Sequence, residues 1–283
     1  MVNTLKNLET HLYPQTIEEV IDLLQDPQTA ILAGGTELTL ERNNTIKTLI
    51  DLQKMNLDYI REDENNYYIG AMTNAYQIYT NQALPKSLRD AARYVGDITL
   101  LHAVTIGGNL AKLYHWVDLP PILWALNAKF IVYTPKQVEM NADDFFAYSI
   151  ERNVYSRKHF ITEIIVPKES DRVYSSYQCL NQATNDKGQL NLAFYAEWDE
   201  KLSLKNVKIV LGGAMRQITR LNEIEKSLDG KKISVLENEV AELDIADLDL
   251  ISDYKSSKEY RRHILRIYLK RAVAELREIS GVM

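Results

Sequence analysis

The sequence of 283 residues holds a single cysteine, Cys179. One thiol forms no disulfide within the chain, and it cannot by itself build a Cys-based zinc or iron–sulfur site. Long apolar runs are missing too: none approaches the ~20 residues that a membrane-spanning helix needs. The N-terminal stretch lacks the apolar segment of a signal peptide. Basic residues are not in excess, with 33 Lys and Arg against 39 Asp and Glu and a formal charge of −6. That balance speaks against a nucleic-acid partner. The five histidines, His11, His102, His115, His159 and His263, are scattered, and none is spaced as H-x-x-x-H or H-E-x-x-H, so no metal is expected. Nor does G-x-S-x-G, the mark of a nucleophile elbow, occur. These absences describe a soluble, cytoplasmic protein.

What is present starts with two glycine pairs. Ala30-Ile31-Leu32-Ala33-Gly34-Gly35-Thr36-Glu37-Leu38 is an apolar run that stops at Gly-Gly, as a buried strand does when it delivers the backbone to a tight loop. Without a Cβ, such a loop can bring peptide N–H groups close to a diphosphate. Thr36 can cap a following helix over 37–42, whose first turn adds an end suited to anionic oxygens. For a lone Gly-Gly a plain structural turn is the better reading, and a second copy of the device changes that. The second copy is Val104-Thr105-Ile106-Gly107-Gly108-Asn109-Leu110, followed by Asp118-Leu119-Pro120-Pro121. Neither copy fits G-x-G-x-x-G or G-x-x-x-x-G-K-[ST].

Around these motifs, 46% hydrophobic residues allow a substantial core and two domains. Strand signals lie at 8–13, 48–52, 58–61, 67–72 and 129–133, and a capping box at Thr16-Ile17-Glu18-Glu19 opens a helix that ends at Asp26-Pro27. A further helix is expected over 87–96, and another from Asp118, with Pro120 and Pro121 in its first turn. Asp118 then reads as its N-cap. The polar stretch Lys168-Glu169-Ser170-Asp171 marks a domain boundary, after which 173–180, 190–198 and 204–211 read as a three-stranded antiparallel sheet. Helices are expected over 222–228, 233–243 and 257–279, the last packing through Tyr260, Ile264, Ile267, Tyr268 and Val273.

The order A-G-G-T-E-L, T-I-G-G-N and D-L-P-P resembles the flavoprotein (medium) subunits of molybdenum hydroxylases, the FAD-binding subunits of xanthine dehydrogenase and carbon monoxide dehydrogenase. The likeness continues through Phe160-Ile161-Thr162-Glu163-Ile164-Ile165-Val166-Pro167, Val210-Leu211-Gly212-Gly213 and Ser256-Ser257-Lys258-Glu259-Tyr260-Arg261-Arg262-His263. It therefore spans nearly the whole chain. It implies an α+β, two-lobed, PCMH/vanillyl-alcohol-oxidase-like FAD-binding domain over 1–168, with lobes of about 1–53 and 54–168. A C-terminal antiparallel sheet with helices over 172–283 follows. It also implies that Ile31, Leu32, Ala33, Gly34, Gly35, Thr36, Glu37 and Leu38, with Thr105, Ile106, Gly107, Gly108 and Asn109, hold FAD through backbone N–H groups. Thr36, Thr105 and Asn109 would add side-chain bonds, and Asp118, Val95, Ile161 and Tyr177 further contacts. No catalytic side chain of the chain's own is implied. Electrons would arrive from an iron–sulfur subunit, itself served by a molybdopterin subunit, and leave for NAD+ or another acceptor from this hetero-oligomer.

Three departures stand against that pattern. Thr99-Leu100-Leu101-His102 replaces Q-I-R-N, and Leu113-Tyr114-His115-Trp116 replaces an A-S-P segment. Tyr177-Gln178-Cys179-Leu180 keeps the tyrosine of Y-x-K-L but not the lysine, and Cys179 reads as a small buried hydrophobe. Two alternatives follow: a subunit of the same fold with weak or absent FAD binding that serves assembly, or a free-standing flavin oxidoreductase.

Overall fold

The computed structural model of the chain describes residues 5–38, 45–134, 136–151 and 159–282. It opens with β1 (Thr10–Leu12), α1 (Ile17–Leu23), β2 (Thr29–Leu32) and β3 (Thr48–Asp51). The strands form a parallel sheet in the order β1-β3-β2. Helix α1 starts where Thr16 Oγ1 accepts the Glu19 N–H at 3.3 Å. The Glu19 carboxylate returns to the Gln15 N–H at 2.7 Å, one residue before the cap. Val20 and Leu24 on its inner face join Ile50, Leu52, Leu57 and Phe160 in a small core.

The next stretch carries β4 (Ile60–Glu62), β5 (Asn66–Gly70), α2 (Ala75–Thr80), α3 (Lys86–Tyr94), α4 (Ile98–Ala103) and α5 (Ile106–Ala111). It continues with α6 (Leu119–Ala125), β6 (Lys129–Tyr133), β7 (Gln137–Asn141), α7 (Ala142–Glu151) and β8 (Phe160–Pro167). Five of the strands make an antiparallel sheet in the order β4-β5-β8-β6-β7. Strand β8 lies in the middle and buries six of its eight residues, which is why it reads as a continuous apolar run.

The C-terminal part has β9 (Val173–Leu180), β10 (Leu190–Trp198), β11 (Leu204–Gly212) and β12 (Thr219–Arg220), then α8 (Asn222–Leu228), α9 (Leu236–Glu242) and α10 (Lys258–Ile279). The sheet is antiparallel and runs β12-β11-β10-β9, so a two-residue edge strand joins the expected three. One face carries Leu190, Leu192, Phe194, Ile209 and Leu211 into a core shared with Leu265, Leu269, Val273 and Leu276 of α10. The buried side of α10 is Arg261, Leu265, Tyr268, Leu269, Ala272, Val273 and Leu276. The expected stripe is thus rotated: Tyr260 is 47% exposed, because Arg261 turns inward instead.

Two compact units emerge. The first holds residues 1–78, 97–113 and 127–167; the second holds 79–96, 114–126 and 168–283. In the second unit α3 packs against β9, and α6 against β10 and β11. Among the described residues no helix is long and apolar enough to cross a membrane.

Candidate functional site

In the first unit the two glycine motifs meet. Ile31 and Leu32 end β2, Ala33 and Gly34 bend, and Thr36, Glu37 and Leu38 form a turn. The rest of the helix expected over 37–42 lies outside the described residues. Gly35 holds φ +70°, which glycine adopts without strain. A Cβ on Gly34 would sit 1.6 Å from the Ala103 carbonyl oxygen and 3.6 Å from the Thr105 nitrogen. Glycine is what lets the first motif lie against the second.

The second motif is not a loop after a strand. Gly107 and Gly108 belong to α5, and Thr105 is its N-cap, with Oγ1 accepting the Gly108 N–H at 3.1 Å. The other amides are also taken: Ile106 N–H donates to Thr73 O, Gly107 N–H to Ala71 O and Asn109 N–H to Thr105 O, each at 2.9 Å. These four N–H groups are bonded inside the protein, because capping at Thr105 starts a helix where a loop was expected. What this motif presents is a side chain. Asn109 Oδ1 is buried and has no hydrogen-bond donor among the described residues, an arrangement that buried acceptors rarely show without a partner. Ile161, in β8, is buried, and its neighbour Thr162 accepts the Ala71 N–H at 3.0 Å, so β8 is tied to the segment on which Gly107 rests. A Cβ on Gly107 would meet Ala71 at 2.8 Å.

Residues 99–102 fall in α4, which the sequence reading missed. Asp97 caps it by accepting the Thr99 and Leu100 N–H groups at 3.0 Å. Leu101 is buried, while the His102 ring stacks on Tyr76 with centroids 4.2 Å apart.

In the second unit Val95 closes α3 and is half-buried. Asp118 precedes α6 but makes no side-chain cap: its φ and ψ are helical, and its carboxylate turns to the sheet. There Tyr177 Oη donates to Asp118 Oδ1 at 2.8 Å. Asn191 Nδ2 donates to the Trp116 carbonyl at 3.1 Å and the Val117 carbonyl at 3.3 Å, and lies 3.4 Å from Asp118 Oδ1. Cys179 Sγ donates to Asn191 Oδ1 at 3.3 Å, so it is a half-buried polar partner rather than a filler. Burial pushes the Asp118 carboxyl up to about 7, against the opposing pull of the Tyr177 and Cys179 hydrogen bonds. Burial likewise drives the Tyr177 phenol and the Cys179 thiol well above their ordinary values. Asn191 was not anticipated; its signal was a lone amide in the apolar run Leu190-Asn191-Leu192-Ala193-Phe194.

The bulky segment before Asp118 packs on itself. The Tyr114 and Trp116 rings stack at 4.6 Å, and Lys187 Nζ stands 3.8 Å from the Trp116 ring centre.

Residues 6–169 match the family model described as "FAD binding domain in molybdopterin dehydrogenase", and residues 175–276 match "CO dehydrogenase flavoprotein C-terminal domain". The chain belongs to this family. It is an FAD-dependent flavoprotein subunit of the molybdenum hydroxylase type. It is similar to the glyceraldehyde dehydrogenase medium chain of Sulfolobus acidocaldarius, 24% identical over 94% of this chain and 98% of that one. The nicotine 6-hydroxylase medium subunit of Paenarthrobacter nicotinovorans is 28% identical over 93% of this chain and 95% of its own length. Among solved structures, a chain of carbon monoxide dehydrogenase from Hydrogenophaga pseudoflava shares the fold with a TM-score of 0.81 at 22% identity, covering 99% of each chain.

Proposed function

We propose that this chain is the electron-transferring flavoprotein of a multi-subunit molybdenum hydroxylase, working beside an iron–sulfur subunit and a molybdopterin subunit. The observation that carries the reading is the meeting of the two glycine motifs in the first unit. Gly34 leaves an exposed, side-chain-free backbone against Ala103, and the buried Asn109 Oδ1 is an acceptor without a donor among the described residues. Those features fit a cofactor rich in hydroxyl and phosphate groups. When bound, FAD supplies the redox chemistry, taking electrons that the partner cluster delivers and passing them to NAD+ or another acceptor.

The chain's own residues bind and orient. The backbone of residues 31–38 approaches the diphosphate, and the Asn109 side chain accepts from a cofactor hydroxyl. Thr105 holds the start of α5, and Ile161 is assigned to the cofactor as an apolar contact. The names of the relatives, a medium chain and a medium subunit, support one chain among several.

A second reading rests on the self-packed Tyr114–Trp116 pair: a same-fold subunit with weak FAD binding that serves assembly. The absorption spectrum of the purified chain, before and after adding FAD and gel filtration, separates the two. Retained flavin bands support electron transfer. A chain that stays colourless in excess FAD overturns it in favour of the assembly role.

A further inference from the structure

Helix α5 has six residues, too few to hold a direction of its own in water. The aim of the Asn109 side chain, one turn into that helix, therefore comes from what the helix is fastened to. The fastening lies in the same unit, in Gly70-Ala71-Met72-Thr73-Asn74-Ala75. Alternate residues of this segment bond to 104–107: Ala71 O accepts the Gly107 N–H, Thr73 O accepts the Ile106 N–H, and the Ala75 N–H donates to Val104 O, each at 2.9 Å. Between them Asn74 and Thr105 face each other as an antiparallel bridge. Asn74 is fixed in turn by Gln77, whose N–H donates to Asn74 Oδ1 at 2.9 Å and whose Oε1 accepts the Asn74 N–H at 2.8 Å.

The segment is itself held rigidly. A Cβ on Gly70 would fall 2.2 Å from the Leu57 carbonyl oxygen and 2.9 Å from the Tyr59 ring, because the Gly70 N–H donates to Tyr59 O and the Met72 N–H to Leu57 O, both at 2.9 Å. Gly70 is thus a third glycine required for close backbone approach. Thr73 joins this layer to α5. It is 0% exposed; its Oγ1 donates to the Tyr59 carbonyl at 2.9 Å, while its own carbonyl receives the Ile106 N–H. The Tyr59 carbonyl already has the Gly70 N–H, so the Thr73 hydroxyl does not rescue an orphaned acceptor. What it adds is a fixed Thr73 peptide, and with it a fixed Ile106 amide.

We propose that Thr73 is a positioning residue for the flavin: through Ile106 it sets the first turn of α5 and so aims the buried Asn109 Oδ1, an acceptor with no donor among the described residues. The inference rests on the reading that the first unit holds FAD at its two glycine motifs. Having no exposed surface, Thr73 acts on a cofactor only through the residues it orders.

The test is a double-mutant cycle on the full chain, with FAD affinity read by flavin fluorescence for the parent, Thr73→Val, Asn109→Ala and the pair, the titrations carried far enough to read weak binding. Valine keeps the shape of Thr73 and removes its donor. Thr73→Val should weaken FAD binding about fivefold, the worth of one net hydrogen bond. Thr73→Ser should restore the parent affinity, and in the Asn109→Ala background the loss from Thr73→Val should vanish. No loss in Thr73→Val, equal losses in the two backgrounds, or a Thr73→Ser no better than Thr73→Val each overturn the role and leave the flavoprotein reading standing. A parent that binds no FAD overturns that reading and this role with it. Amide hydrogen exchange on the FAD-free parent covers a Thr73→Val that does not fold: the Ile106 and Gly107 amides should already be protected before FAD arrives, and free exchange at both overturns the proposal without any variant.

Discussion

Gly34 and Ala103 touch backbone to backbone: a methyl group on the glycine would lie 1.6 Å from the Ala103 carbonyl oxygen. Sixty-nine residues of sequence separate the two, yet this contact is what brings the first glycine motif onto the start of α5. Of the two glycines in the first motif, Gly34 supplies space and Gly35 supplies a positive φ.

Gly34→Ala should therefore cost about 3 kcal/mol of stability, since the clash is with backbone that cannot swing away, and should abolish FAD retention. Thermal melting and flavin absorbance check both. Replacing Gly35 or Gly108 by a β-branched residue should also remove flavin, by strain at the positive φ and by a clash with Thr105 Oγ1 at 2.9 Å. Normal flavin content in the folded variants would end the assignment of these motifs.

Asp118→Asn should gain on the parent as pH rises, by roughly 2–3 kcal/mol between pH 5 and pH 8. The carboxyl's folded value is raised from 3.8 to about 7, so the native state holds its proton where the unfolded chain has released it. Stability from this group is full below the unfolded value and declines as pH rises toward the folded one. The difference amounts to about 4 kcal/mol at most. Chemical denaturation at the two pH values reads it directly, and an equal gap at both would contradict the burial of an uncompensated carboxyl.

Thr105→Val keeps the shape of the side chain and removes the acceptor for the Gly108 N–H. A loss of about 1 kcal/mol is expected, because α5 has only six residues and no other side-chain cap at that end. Denaturant midpoints for the variant and for Thr105→Ser, which restores the oxygen, test it.

Arg261→Ala should cost about 3 kcal/mol. The guanidinium is 1% exposed, pairs with Asp253 at 2.6 Å, and also donates to Ser256 Oγ and the Ile251 carbonyl. Removing it leaves the partners unpaired; Asp253 keeps a third of its exposure, which places the loss at the lower end for a broken buried pair. Unchanged flavin content with a lowered melting temperature is the expected outcome, since this arginine braces α10 rather than either glycine motif.

Much of the fold was legible because its signals are local. Strand signals marked β6, β9 and β10 at their observed limits, and Ser257 capped α10, its Oγ accepting the Tyr260 N–H at 3.2 Å. The Pro-Pro pair sat in the first turn of α6 as its missing N–H groups allow. The family was legible from the order of six short motifs. Other features depended on partners distant in sequence. Whether Gly107 and Gly108 open a loop or a helix was decided by Thr73, Ala71 and Thr105, whose oxygens take the amides. Whether Asp118 caps α6 or faces the sheet was decided by Tyr177 and Asn191, on two strands that follow it by more than fifty residues. Patterns of polarity and glycine settle where strands, helices and turns begin, because those depend on neighbours in the chain. Which donor meets which acceptor, and which carboxyl is stripped of water, is settled only when the sheet closes around them.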